Sequence, residues 1–311
     1  MLDQTEEIIK MEWVKKGLIF KPDASYTWMR THTWVPVVDD LGRGIFRVYF
    51  SGRNDDNLSQ TGYFTFNIKE PKKILELSSE PVIKLGKLGS FDDSAAIACT
   101  LVNHDEKKYL YYVGWMQGKR VRYYPSIGLA ISMDDGKTFQ KYSQAPLLDR
   151  NNEDPYGMAS PFVMFDEGVW RMWYASYRRW DLRDNEPWPH YELRYAESND
   201  GIYWERKGIV CIGSDDQEAV ARPYVLKEYG IYKMRYCYRF IKDTYRIGYA
   251  ESKDAKKWVL MNEKVGIDVS PNDWDSEMIE YPALFLYNGK KHLLYNGNNF
   301  GYGGIGLAIE V

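Results

Sequence analysis

The 311-residue chain carries 41 Lys and Arg against 44 Asp and Glu, a net charge of −3, with the basic residues scattered rather than striped. No electrostatic footprint for nucleic acid or an anionic membrane is present, so both are excluded as expected partners. Three cysteines, Cys99, Cys211 and Cys237, are an odd number without CxxC spacing and read as buried thiols rather than as disulfides or a zinc site.

The N-terminal residues are acidic and lack an apolar signal core, and no run approaches the length of a membrane-spanning helix. A soluble, cytoplasmic protein is expected. Residues 1–11 read as a tail. Residues 12–20, MEWVKKGLIF with its preceding Met11, resemble YWERKGIVCI further along and read as a strand that has lost its neighbours in sequence.

From there the chain repeats. The segments IFRVYF, KYLYYV, WRMWYA, YKMRYC and KHLLYN bring Phe50, Tyr112, Tyr174, Tyr236 and Tyr295 into register, at successive separations of 62, 62, 62 and 59 residues. Before each lies another apolar run, with Pro36, Pro161, Pro223 and Pro282 at matching positions, and short turns such as DEG and NGK join the two. A third run follows each aromatic anchor, and a fourth is reached through DDGK, NDGI or KDAK turns.

Four short strands per period, with no helical periodicity, are the signature of propeller blades. An all-β, five-bladed β-propeller is expected, with four antiparallel strands per blade and a single domain over 1–311. The last period stops after its third strand, so strand 12–20 is expected to close the ring by pairing with the C-terminal blade.

Antiparallel order places long connections on one face: 114–126, 176–191 and 296–304. There Trp115, Trp180, Trp188 and Tyr302 are candidates for stacking on sugar rings, whereas Trp170, Trp173, Trp204 and Trp258 fall in strands and read as packing. The segments entering each first strand carry Asp92, Asp93, Asp154, Glu218, Glu277 and Glu280, which are expected to crowd one pocket and raise one another's pKa. Crowded carboxylates suit glycosidic chemistry, and they could equally hold a cation. The Asp-rich turns lack the remaining ligands of a calcium loop and read as structural, so no metal and no cofactor is expected.

The blade pattern and the segments FDDSA, DPYGMASP, EAVARP, WDSEMIEYP and YNGNNFGYG resemble the five-bladed propeller glycosidases, the superfamily of arabinanases, β-xylosidases, invertases and levansucrases, over the whole chain. They are most similar to an uncharacterised bacterial branch found near surface-polysaccharide genes. The resemblance implies Glu218 as general acid and Asp154 as the residue that tunes its pKa. The superfamily's first-blade Asp is replaced by Thr31, His32 and Thr33. Either His32 acts as base or binds substrate, or Asp93 or Glu277 supplies the carboxylate. Arg222 is expected to orient a carboxylate or contact an anionic substrate, and Asp92 and Glu280 to contact the sugar. The implied function is a glycoside hydrolase or a related glycosyl-transferring or phosphorolytic enzyme acting on a small-molecule or oligosaccharide substrate. The alternative is a noncatalytic glycan or sugar-nucleotide binding propeller.

Overall fold

In the computed structural model, residues 10–214, 219–240 and 243–311 are described, and they form twenty β-strands. The strands are rich in Tyr, Trp, Val and Ile and are broken by turns in which glycines and Asx residues take positive φ, as hairpins require.

They pair as successive four-stranded antiparallel meanders. The first contains β2 (Thr31–Asp40), β3 (Ile45–Arg53), β4 (Ser59–Asn67) and β5 (Ile74–Leu77). The second contains β6 (Ala95–His104), β7 (Lys107–Gln117), β8 (Tyr123–Ser132) and β9 (Gln140–Lys141). The third contains β10 (Met158–Asp166), β11 (Val169–Arg183), β12 (Glu186–Ser198) and β13 (Trp204–Ile212). The fourth contains β14 (Ala219–Glu228), β15 (Ile231–Arg239), β16 (Arg246–Ser252) and β17 (Val259–Leu260). In the last, β18 (Glu280–Tyr287), β19 (Lys290–Asn296) and β20 (Ile305–Glu310) are joined by β1 (Trp13–Phe20), which pairs antiparallel with β20. The expected pairing of the N-terminal strand with the C-terminal sheet is therefore present.

The first strands touch one another in sequence: β2 packs on β6, β6 on β10, β10 on β14, β14 on β18, and β18 on β2. This arrangement gives the all-β chain a propeller's organisation, with first strands at the centre and fourth strands outside. The core lies between neighbouring sheets, where Trp173, Tyr195, Tyr236 and Leu193 are fully buried.

The register aromatics explain the packing. Tyr112 pairs across the sheet with Gly128, and a Cβ built on that glycine would lie 2.3 Å from the tyrosine ring. Only the missing side chain lets the ring lie flat over the third strand. Two sequence expectations change: 114–126 and 176–191 are not loops but extensions of the β7–β8 and β11–β12 hairpins, paired out to Gln117 and Tyr123 and to Arg183 and Glu186.

Candidate functional site

The expected carboxylate pocket does not form among the described residues. Asp92, Asp154 and Asp275 each lie twenty residues before a register tyrosine and accept its hydroxyl: Tyr112 to Asp92 at 2.8 Å, Tyr174 to Asp154 at 3.0 Å, and Tyr295 to Asp275 at 3.0 Å. A cation from the outer strand completes each clip: Lys141 with Asp92 at 2.5 Å, Arg206 with Asp154 at 3.0 Å, and Lys15 with Asp275 at 2.7 Å. Asp154 also accepts from Ser176 at 2.6 Å and pairs with Arg194 at 3.4 Å, and it has no exposed surface. Asp92 and Asp154, expected in one pocket, are held instead in these separate clips. A buried carboxylate demands such partners, and the repeating fold supplies them at the same place in these three units.

The other candidates separate likewise. Asp93 spends its oxygens in its own turn, accepting from the Gly89 amide at 2.8 Å and the Ser94 hydroxyl at 2.7 Å. Glu277 is exposed at the surface, and its backbone amide donates to Asn298 at 2.7 Å. Glu218 lies outside the described residues. Arg222, expected to orient a carboxylate, instead bridges first strands across the centre of the molecule. Its guanidinium donates to the Cys99 carbonyl at 2.6 Å and the Pro36 carbonyl at 3.1 Å, and the side chain is fully buried. Glu280 is also fully buried. Burial pushes its pKa well above the usual carboxylate range, and the Arg239 charge opposes that only in part. His32 sits edge-on to the exposed Tyr302 at 5.5 Å, with its Nδ1 2.9 Å from the Thr31 hydroxyl. Burial, then the neighbouring Arg53 charge, lowers its pKa to about 4, so the imidazole is neutral at physiological pH.

What the fold does build is an aromatic cavity of about 420 Å³. Trp115, Trp180 and Trp188 line it, and so do Trp34, Tyr123, Tyr177, Tyr191, Tyr245 and Tyr281, whereas Tyr302 does not. Trp115 stacks on Tyr123 with ring centroids 4.4 Å apart and meets Trp34 edge-on at 5.5 Å. Arg53, Arg122 and Arg239 complete the polar wall with Ser94 and Ser160, and no described Asp or Glu contributes to the lining.

Two periodic positions produce this wall. Three residues after the register aromatic stand Arg53, Trp115, Tyr177 and Arg239, all on the cavity, because alternate residues of a strand share a face. Around the strand prolines, Val35, Ser160, Arg222 and Tyr281 adopt left-handed backbone, with φ of 57°, 51°, 51° and 53°. Register shifts bracket these residues in β2, β10, β14 and β18, which marks them as bulges that re-aim the chain toward the centre. Position +3 was readable in the repeat. The bulges were not, because prolines alone do not announce an inserted residue.

The fold is that of β-propeller glycoside hydrolases of known structure. The α-L-arabinofuranosidase of Podospora anserina, solved in complex with cellotriose, superposes with a TM-score of 0.68 at 11% identity, covering 97% of this chain and 98% of that one. No protein-family model matches the chain. It is 39% identical over 301 residues to the uncharacterized protein Rv1502 of Mycobacterium tuberculosis (strain ATCC 25618 / H37Rv), covering 96% of this chain and 99% of that one, and it belongs to the same family. A more distant relative is the 1,2-beta-oligomannan phosphorylase of Thermoanaerobacter sp. (strain X514), 25% identical over 210 residues, 67% of this chain and 65% of that one.

Proposed function

We propose that the chain is a carbohydrate-active enzyme acting on glycosidic bonds within the central cavity, by hydrolysis or by phosphorolysis, and that 1–311 form one five-bladed ring closed by β1. The cavity wall carries the reading: Trp115, Trp180 and Trp188 offer flat rings for the C–H faces of a sugar. The neighbouring oligomannan phosphorylase supports including a phosphorolytic reaction.

Glu218 is proposed as the general acid. It immediately precedes Ala219, whose strand partner Arg239 lines the cavity. His32 is kept as the candidate base, since Asp93 is occupied in its turn and Glu277 faces solvent. The test is turnover of a panel of aryl glycosides and β-linked oligomannosides, with and without phosphate. Glu218→Gln should abolish turnover while leaving the circular dichroism spectrum intact, and unchanged turnover rejects the assignment. A second reading, noncatalytic glycan binding, is favoured by the lack of any described carboxylate in the lining. Sugar binding without turnover across the whole panel would establish it.

A further inference from the structure

Among the described residues, the cavity wall carries guanidinium and indole donors and no carboxylate, its acceptors being neutral hydroxyl and amide oxygens. The indole Nε1 atoms of Trp34, Trp115 and Trp188 are buried with no hydrogen-bond partner among the described residues, and so is Nε of Arg53. All four residues line the cavity. A buried donor without an acceptor costs about 1–3 kcal/mol, so four in one cavity are more than a finished core tolerates.

Arg53 is the centre of this imbalance. Its Nη1 donates to Asn57 at 3.2 Å, and its guanidinium lies over the Trp34 ring at 4.4 Å. It forms no ion pair with a described carboxylate, and the neighbouring His32 is neutral. Burial disfavours its charged form, with only the Tyr281 hydroxyl acting in its favour. A guanidinium that stays ionised in such surroundings calls for a counter-charge, and its planar fork matches carboxylate and phosphate oxygens. Trp34 and Trp115 meet edge-on at 5.5 Å, so both indole donors belong to the same region of the wall.

We infer that Arg53, with the indole N–H groups of Trp34 and Trp115, forms an oxyanion subsite, and that the cavity takes an acidic saccharide bearing a carboxylate or phosphate group. The sugar-borne part of this inference rests on the carbohydrate reading above. The subsite itself does not. Neutral saccharides satisfy the stacking surfaces of Trp180 and Trp188 but leave the Arg53 charge uncompensated.

Binding is measured by isothermal calorimetry on the full chain, with no turnover required. The probes are glucuronate and mannose 1-phosphate, the neutral sugars glucose and mannose, and inorganic phosphate alone. The acidic sugars should bind at least about tenfold more tightly than their neutral parents, and Arg53→Gln should erase that preference, a loss of about 10- to 100-fold. Trp115→Phe, which keeps an aromatic face but loses the indole N–H and part of the ring, should weaken the acidic sugars by a larger factor than the neutral ones, and it carries the test if Arg53→Gln fails to fold. Inorganic phosphate binding as tightly as mannose 1-phosphate, with the same dependence on Arg53, would assign the subsite to a free phosphate and overturn the acidic saccharide. Equal affinity for acidic and neutral sugars, or an acidic preference that survives Arg53→Gln, overturns the subsite. Binding without cleavage would leave the subsite standing and refute only the enzymatic reading.

Discussion

Replacing Asp154 by Asn distinguishes a structural carboxylate from a catalytic one. The side chain is completely buried and accepts hydrogen bonds from Tyr174 at 3.0 Å, Ser176 at 2.6 Å and Arg206 at 3.0 Å. The Arg206 and Arg194 side chains keep only 11% and 16% of their surface exposed. The amide oxygen can still accept, but it brings no charge, so the mostly buried Arg206 loses its described counter-ion, while Arg194 keeps Glu192 at 2.9 Å. Removing one partner of a buried ion pair costs about 3–5 kcal/mol, and the retained acceptor argues for the lower end, about 3 kcal/mol. Tyr174→Phe removes a single bond to a charged group and should cost about 1.5–3 kcal/mol. The two substitutions share one network, so the double variant should lose less than the sum. Urea unfolding followed by circular dichroism measures all three, with turnover recorded on the same preparations. A midpoint unchanged in Asp154→Asn, combined with lost turnover, would refute the structural assignment and return Asp154 to the chemistry.

Gly128→Ala places a methyl group 2.3 Å from the Tyr112 ring and should cost about 1–3 kcal/mol as the ring is displaced from its clip with Asp92, seen as a lowered urea midpoint. Lys15→Met strips the cation from Asp275, only 1% exposed, and should loosen the pairing of β1 with β20; faster amide exchange along both strands checks this. His32 gives a pH signature. Its pKa falls from 6.5 to about 4 on folding, so between these values the unfolded chain binds more protons and stability drops as the solution is acidified. His32→Gln should flatten that part of the stability profile between pH 6.5 and 4, and an unaltered slope contradicts the assigned burial.

The repeat was legible because each unit must bury the same large ring at the same place, which fixed Phe50, Tyr112, Tyr174, Tyr236 and Tyr295 in register. The closing strand was legible for the same reason, since the last unit lacked an outer partner that the N-terminus could supply. Trp115, Trp180 and Trp188 lie both on the long connections and on the cavity wall. The carboxylates misled. Acidic residues recurring ahead of first strands looked like a converging cluster, whereas Asp92, Asp154 and Asp275 recur because three of the units use such an acceptor for their own tyrosine and their own outer-strand cation. Recurrence within a repeat marks what every unit requires, and a site at the centre is built from what differs between units. Position +3 shows this: Arg53, Trp115, Tyr177 and Arg239 share a place in the repeat and differ in chemistry. Arg222 was misplaced because a bulge turns it across the centre, onto the carbonyls of Cys99 and Pro36.

The claim on which the account rests is that saccharides occupy the aromatic cavity at the centre of the propeller. A crystal soaked in a mixture of neutral and acidic monosaccharides tests it most directly. The account predicts sugar density against Trp115 and Trp180, with an acidic group facing Arg53. Sugar bound solely elsewhere, for example in the outer groove lined by Glu76, Lys84 and Gln140, would contradict it.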